Sequence, residues 1–293
     1  MSGPARLALA RQRAEAVAQR FGVTGPPVDV ISIAERSGIV VEAKPPDLQG
    51  VSGMLLRHGD DFGILYATHV GGSGFQRFSI AHELGHYFLD GHCDQLLATG
   101  AHVSRAGQGA SDPFEQEADA FASALLMPRC LFGARLRADD LCLDLLLRLA
   151  GEFDTSLIAT GIRVAELSRD PVAVLTSVDG VLEVCAISEA MKPRARRGWL
   201  RRGDRVPAGT CSSRLAADSI RVRRAERDTG SVDISDWYDC EASVPGREEA
   251  IGLGSYGRVL TVLTCGPVED SDEDDEAREE AYLVERWTPR FRL

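Results

Sequence analysis

The amino-acid sequence predicts an α+β fold, because helical and strand patterns dominate different parts of the chain. Residues 4–21 alternate apolar and charged side chains with the period of a helix. A second helical segment, residues 113–128, has proline at both ends, which suits a helix start and a helix stop. From Pro171 onward, apolar strands flank short turns such as Val178-Asp179-Gly180. These observations predict an α+β protein whose second part is a mixed α+β domain.

Breaks and turns predict the other elements of the first 75 residues. Gly25-Pro26-Pro27 interrupts the first helix, and Asp29 is expected to cap the next one. The elements that follow are a helix over 28–37, a strand over 40–43, a hairpin of 52–56 with 62–66, and a glycine-rich connector over 71–74.

The motif His82-Glu83-Leu84-Gly85-His86 is the strongest functional signal in the chain. On a helix, His82 and His86 stand four residues apart and project from one face, which is the spacing that holds one metal ion. Glu83 follows the first histidine and can bond a water at an open coordination position. Imidazole and carboxylate donors favour zinc, a Lewis acid without redox chemistry. The chemistry that the motif implies is hydrolysis of a peptide bond.

A bare motif of this kind also occurs on helices with two ordinary surface histidines, and its flanks argue against that alternative. Residues 78–89 are largely apolar outside the motif, which predicts a helix buried on most sides. Buried histidines need polar partners, and a metal ion is one. Gly85 has no side chain and lets another backbone or a substrate approach closely.

The helix over residues 113–128 supplies acidic side chains at a useful spacing. Glu115 and Asp119 are four residues apart and share one face. With Glu115 as a third metal ligand, Asp119 would accept the outer N–H of a ligating histidine. Glu117 points about 200° around the helix from Glu115, at roughly 100° per residue, and is expected to face elsewhere. The alternative interpretation is a solvated acidic helix face.

Two segments, RFSIAHELGHYFL (residues 77–89) and EQEADAFASALLMP (residues 115–128), resemble the ImmA/IrrE family of zinc metallopeptidases. The resemblance covers roughly residues 5–130. It implies a zincin-like catalytic domain over residues 1–135, with His82, His86 and Glu115 on Zn²⁺ and Glu83 as general base. It also implies an intracellular protease whose partner is a protein substrate. Such enzymes cut helix-turn-helix (HTH) repressors in stress responses or mobile-element induction.

His92 is the alternative third ligand. It follows His86 by six residues, where another class of HExxH proteases places its third ligand. That class needs glycine three residues after the second histidine, but this chain has Leu89 there and its glycine comes later, at Gly91. The sequence therefore favours Glu115 over His92.

Peptide hydrolysis also needs a donor for the oxyanion, and the sequence leaves that residue open. The candidates are Tyr87, Tyr66 and His102. A surface position is nevertheless the favoured interpretation for His102, as for His58 and His69, because all three have loop-like surroundings. Residues 93–112 are expected to form one long loop between the two site helices.

Composition narrows the class of protein. The chain has 293 residues, of which 44% are hydrophobic and 26% charged, as is typical of soluble globular proteins. It has no apolar run of membrane-spanning length, and its first residues lack the apolar core of a signal peptide, so a cytoplasmic protein without a membrane partner is expected. Its seven scattered cysteines contain no C-x-x-C pair and are expected to be free thiols.

Residues 136–169 are expected to form a helical, HTH-like segment with helices over 138–151 and 155–168 and a turn at Asp154. The second helix offers Arg163 but few other side chains suited to reading bases, so packing is favoured over DNA binding. The domain over residues 170–267 is expected, by family analogy, to have a regulatory or docking role.

Charge is unevenly distributed in a chain whose net charge is −11. Residues 269–280 hold nine acids and one arginine, and we expect an acidic linker and tail over 268–293. Residues 192–205 hold seven bases, but a nucleic-acid patch is the less favoured interpretation. The predicted function is that of a zinc metallo-endopeptidase. The alternative is a non-enzymatic, zinc-containing regulator that binds DNA or a partner protein.

Overall fold

The computed structural model describes residues 3–44, 51–68, 72–98, 100–104, 112–195, 198, 200–238 and 243–266. Its first part combines helices with one sheet. The elements are α1 (Gly3–Arg20), α2 (Val30–Arg36), β1 (Ile39–Ala43), β2 (Gly53–His58), β3 (Asp61–Tyr66), α3 (Ser73–Phe88), α4 (His92–Leu96), β4 (Ala101–Ser104) and α5 (Pro113–Leu126). Asp29 caps α2 as expected, since its carboxylate accepts from the Ser32 N–H at 2.9 Å.

The strands of this part form a sheet in the order β1-β3-β2-β4 among the described residues. β2 and β3 make the expected hairpin, and β1 joins β3 in parallel. β4 pairs antiparallel with β2. The expectation of one long loop over 93–112 was therefore wrong, because this stretch contains β4 and most of α4. A strand that forms through pairing with a distant partner leaves a weak local signal.

Helix α3 lies in the middle of this part and packs against α5. Gly85 explains how close the two helices come, since a Cβ atom on it would lie 3.1 Å from the Cα of Ala118. Leu84, Phe121 and Leu125 are fully buried in the surrounding core. Because deleting a buried aromatic or aliphatic side chain typically costs about 2–5 kcal/mol, this packing fixes the position of both helices.

The second part begins with helices and continues into a second sheet. The elements are α6 (Arg129–Leu136), α7 (Leu143–Phe153), α8 (Leu157–Leu167), β5 (Val172–Val178), β6 (Val181–Ile187), α9 (Cys211–Ala216), α10 (Ser219–Arg223), β7 (Arg227–Asp233), β8 (Pro245–Gly252) and β9 (Arg258–Cys265). In the described ranges its strand order is β6-β5-β9-β8-β7, with antiparallel neighbours. The expected mixed α+β class is confirmed.

The turn between β5 and β6 is the expected one. Asp179 and Gly180 have φ angles of 50° and 73°, so both central residues of the turn lie in the left-handed region. Turns of this kind match the twist of antiparallel strands, and Asp-Gly is one of their preferred sequences.

Helices α7 and α8 pack on the second sheet. Asp154, with φ at 48°, joins them, and the apolar side chains Leu146, Phe153 and Val164 share one buried core with Val174 of β5. Arg163 on α8 is only 2% exposed, and its guanidinium donates to the backbone carbonyl of Met127 at 3.0 and 3.1 Å. A side chain held in this way cannot reach a DNA base, which supports the packing role of this helix. Its likeness to an HTH stays a prediction.

Several other expectations concern cysteines, membranes and segments that are described incompletely. The six cysteines in the described ranges are free thiols. No helix in those ranges has both the length and the apolar character needed to cross a membrane. The basic run 192–205 is described only in part, and the acidic run 269–280 with the tail 268–293 lies outside the described residues. The domain boundaries near 135, 169 and 267 stay predictions.

Two glycines test the packing of α7 and α8. A Cβ atom on Gly161 would lie 2.6 Å from Cγ1 of the buried Val174, whereas one on Gly151 would meet nothing within 4 Å. Gly161→Ala is therefore expected to lower the free energy of unfolding by about 1–3 kcal/mol through overpacking. Gly151→Ala should raise it by about 0.5–1 kcal/mol, because alanine is the better helix former. Urea denaturation of both variants measures this, and destabilisation of equal size in the two would contradict the packing.

Candidate metal centre

Three side chains from α3 and α5 bring their donor atoms together. Nε2 of His82 lies 3.0 Å from Nε2 of His86, and the Glu115 carboxylate lies 3.3 Å from the first nitrogen and 3.4 Å from the second. All three donor atoms lie within 4.8 Å of one another. Zinc ligands at about 2.0–2.1 Å in a tetrahedral arrangement stand ~3.3 Å apart, so these donors fit a single ion.

Local sequence explains why these donors converge. The i, i+4 spacing on α3 puts both imidazoles on the face toward α5, and Gly85 between them permits the close helix contact described above. Asp112 caps α5 through the N–H of Phe114 at 2.9 Å, and Pro113 opens the helix. Glu115 consequently lies in the first turn of α5, opposite the histidines.

Asp119 holds the outer nitrogen of one of these histidines. Its Oδ1 lies 2.8 Å from Nδ1 of His82, one turn along α5 from Glu115. The bond puts a proton on Nδ1 and turns Nε2 toward the donor cluster. This is the geometry that the spacing of Glu115 and Asp119 predicts.

The carboxylate of Glu83 is the most unusual group at the centre. It is fully buried, and neither of its oxygens has a hydrogen-bond partner among the described residues. It lies against the backbone of Gly53 on β2, where a Cβ atom would come within 2.6 Å of Oε1. Burial raises the pKa of Glu83, while the charge of His82 and the nearby Ser104 hydroxyl oppose the rise. A buried carboxyl without a partner is costly unless another molecule or ion supplies one.

Burial and hydrogen bonds shift the pKa values of the three donor groups in different directions. Burial lowers the pKa of His86 to about 3. Burial alone would also lower the pKa of His82, but hydrogen bonds to Asp119 and Glu115 outweigh it and raise that pKa to about 10. Burial would raise the pKa of Glu115, yet hydrogen bonds from His102, His82 and His86 hold it well below its ordinary range. A protonated His82 and an ionised Glu115 thus share the position where a cation would bind.

His102 lies at this centre, so the expectation of a surface position was wrong. It stands on β4, its Nε2 is 3.0 Å from Glu115 Oε1, and its ring centroid is 4.5 Å from that of His86. The pairing of β4 with β2 brings it there, which a local pattern could not reveal. His58, in contrast, is exposed, and His69 lies outside the described residues.

The other two oxyanion candidates differ in position. Tyr87 points away from the centre, since its hydroxyl donates to the Ser37 carbonyl at 3.5 Å and its ring packs edge-on against Phe62. Tyr66 pairs directly with Gly53 across β2 and β3. Paired residues of antiparallel strands share a face, so the Tyr66 side chain leaves the sheet on the side of Glu83.

His92 does not join the three donors. Its Nδ1 lies 2.9 Å from Nδ1 of His86, the outer nitrogen of that ring, and its Nε2 lies 3.3 Å from Glu117. The ring of His86 therefore stands between His92 and Glu115. The structure gives no support to His92 as the alternative third ligand.

Two histidines four apart on one helix, with a glutamate from a following helix, form the donor arrangement of HExxH metallopeptidases. Residues 34–165 match the family model Peptidase M78, described as the IrrE N-terminal-like domain. This match supports membership of the ImmA/IrrE family, and that family implies a metallopeptidase.

A comparison with solved structures gives information on the fold alone. A solved structure described as a Mycobacterium tuberculosis transcriptional regulator is similar to this chain, with a TM-score of 0.55 and 20% sequence identity. The similarity covers 88% of this chain and 76% of that one. No protein with a curated description matches the chain.

Asp119 provides a test of how the donors are oriented. Asp119→Ala removes the acceptor for the outer N–H of His82, and such changes typically lower metal affinity about 10–100-fold. Asp119→Asn keeps an acceptor oxygen and should lose less metal affinity than Asp119→Ala. Competition with a chromogenic chelator measures both affinities for zinc. An alanine variant that binds zinc as tightly as the wild type would show that Asp119 does not orient the ligand.

The raised pKa of His82 predicts how zinc affinity depends on pH. At pH values below about 10 the imidazole of His82 is protonated in the metal-free protein. Zinc must therefore displace one proton from it. Affinity should fall as pH falls, about tenfold per pH unit when one proton is released. Zinc titrations at several pH values between 6.5 and 8.5, buffered with a chelator of known affinity, measure the slope. A flat profile would mean that His82 is already neutral or is not a ligand.

Proposed function

We propose that this chain is a zinc-dependent endopeptidase that hydrolyses a peptide bond in an intracellular regulatory protein. The observation that carries the proposal is the fully buried carboxylate of Glu83, which has no partner among the described residues and adjoins three convergent donors. The family of the chain implies a metallopeptidase, in agreement with this geometry. The cytoplasm is the expected location of such an enzyme and its substrate.

Zn²⁺ is the proposed cofactor, with His82, His86 and Glu115 as its protein ligands. Two imidazoles and one carboxylate are a donor set that zinc enzymes use, and the separations between the donor atoms suit its bond lengths. Catalytic zinc sites typically have three protein ligands, whereas structural zinc sites usually have four. The proposed site therefore leaves one position open for chemistry.

Glu83 is the proposed general base. Zinc, when bound, supplies Lewis acidity and lowers the pKa of a water molecule toward ~7. Glu83 takes a proton from the attacking water and passes it to the leaving amine. Its burial against Gly53 fixes its direction and excludes competing solvent. Its raised pKa brings it closer to the working pH, which favours a group that must both accept and return a proton.

The oxyanion that forms during hydrolysis needs a donor in addition to the metal. We assign this role to His102, because it already contacts Glu115 and adjoins the His86 ring. Tyr66 is the second choice, since it shares the sheet face of Glu83. Tyr87 is the weakest of the three, because its hydroxyl binds the Ser37 carbonyl.

An HTH-type transcriptional repressor is the proposed substrate class, within a stress response or mobile-element induction. This choice rests on the family, whose members cut such repressors. The alternative, a zinc-containing regulator without activity that binds DNA or a partner protein, receives little support from α8. Its arginine, Arg163, is buried and bonded to Met127.

Glu83→Gln tests the proposed function. The variant should keep zinc and fold but lose cleavage by about 10²–10⁴-fold, the usual contribution of a general base. The measurement is the appearance of a cut band after wild type or variant is incubated with the protein product of the neighbouring gene. Asp90→Asn, which changes an exposed carboxylate just beyond α3, is the matched control and should cut normally.

Two results would contradict the proposal. Cleavage by Glu83→Gln at the wild-type rate would remove Glu83 as the base. A wild type that cuts no candidate repressor, together with a salt-sensitive DNA affinity that persists in Glu83→Gln, would favour the regulator instead.

A further inference from the structure

A chain of polar contacts runs from the donor cluster to α1. Behind His86, Nδ1 of His92 lies 2.9 Å from Nδ1 of His86, and Nε2 of His92 lies 3.3 Å from the Glu117 carboxylate. Arg6 of α1 forms an ion pair with that same carboxylate. We infer that His92 and Glu117 are positioning residues that hold His86 with its Nε2 bare for metal, and that Arg6 completes the chain. The inference rests on the proposed metal site but adds residues that the site itself does not contain.

For a neutral His92, the contacts of its two ring nitrogens determine where the protons lie. Nε2 of His92 faces a carboxylate, so it carries the proton of a neutral imidazole and leaves Nδ1 of His92 as an acceptor. The two Nδ1 atoms stand 2.9 Å apart and need one proton between them, which must then come from His86. A neutral His86 that carries its proton on Nδ1 has a free lone pair on Nε2. That nitrogen is the one that faces His82 and Glu115.

Asp119 and His92 thus perform the same task for different ligands. Asp119 holds the outer nitrogen of His82 directly, with a carboxylate. Among the described residues, His92 and not a carboxylate contacts the outer nitrogen of His86, and His92 in turn contacts Glu117. Both ligands are consequently presented through Nε2, as outer hydrogen bonds to metal-binding histidines generally ensure.

The fold encloses this chain of contacts. Gly91, with φ at 81°, turns the backbone after α3 so that His92 comes back beneath His86. His92 is only 1% exposed, and the ring of Phe114 packs edge-on against it at 4.8 Å between centroids. The guanidinium of Arg6 lies over the ring of Phe114, 5.5 Å from its centroid. A buried imidazole in such a setting needs its hydrogen bonds satisfied, and here both ring nitrogens have partners.

Two substitutions at His92 separate a hydrogen-bonding role from a packing role. His92→Leu removes the acceptor, whereas His92→Asn places a side-chain oxygen near the former Nδ1. His92→Leu should lower zinc affinity about 10–100-fold, and His92→Asn should lose markedly less. Affinity is measured on the full chain by competition with a chelator. An unchanged affinity in His92→Leu, or equal losses in both variants, would overturn the inference.

Further variants keep the inference testable if a substitution at His92 prevents folding. Glu117→Gln retains an acceptor for His92, whereas Glu117→Leu does not. Glu117→Leu should therefore bind zinc more weakly than Glu117→Gln. Arg6→Ala should weaken zinc binding less than Glu117→Leu. Arg11→Ala is its matched control on α1, because Arg11 pairs with Glu166 instead, and this variant should bind zinc normally. Equal zinc affinities in Arg6→Ala and Arg11→Ala would remove α1 from the chain of contacts.

A second measurement separates this inference from the proposed function. In the metal-free wild type, ¹⁵N chemical shifts of the imidazoles should show His86 protonated on Nδ1, and His92→Leu should lose this signature. A wild type with the expected shifts that cuts no repressor would contradict the proposed function and leave the inference standing. A His86 protonated on Nε2 would overturn the inference even in an active peptidase.

Discussion

The contact between α3 and α5 at Gly85 is the constraint on which the centre depends. Glycine on one helix and Ala118 on the other let the backbones approach until a single Cβ atom would lie 3.1 Å from a neighbouring Cα. At that separation the first turn of α5 brings Glu115 within 3.4 Å of both histidine donors. A larger side chain at residue 85 would move the carboxylate away from the imidazoles. The apolar core around these helices holds the contact in place.

The same close packing creates the electrostatics of the centre. His82, Glu83 and His86 are buried, so each of their polar atoms needs a partner from inside the protein or a bound ion or molecule. The atoms of His82, His86 and Glu115 that face one another are satisfied only by sharing protons, and Glu83 remains without a partner among the described residues. A cation and a water molecule would satisfy all of them at once. The unpaired carboxylate thus carries more functional information than the motif that contains it.

Local patterns in the sequence predicted the parts of the centre that lie within one helix. The i, i+4 pairs His82/His86 and Glu115/Asp119 follow from helical geometry alone, as does the different direction of Glu117. What could not be predicted depends on elements that meet from afar. His102 comes to the centre through the pairing of β4 with β2, and Gly53 supports Glu83 across the same sheet.

His92 and Glu117 belong to that second group. The sequence marked His92 only as an alternative ligand and Glu117 only as facing elsewhere, and their contact forms because the chain turns back at Gly91. The second part of the protein shows the same limit, since its hairpin turn is plain in the sequence while the burial of Arg163 depends on contacts with α1 and the end of α5.

X-ray absorption at the zinc edge of the loaded full chain tests the central claim most directly, because it reports the atoms around the ion independently of any substrate. We expect only nitrogen and oxygen neighbours at about 2.0–2.1 Å, with the outer-ring scattering of two imidazoles. A sulfur neighbour at about 2.3 Å, or a third imidazole, would contradict a site built from His82, His86 and Glu115.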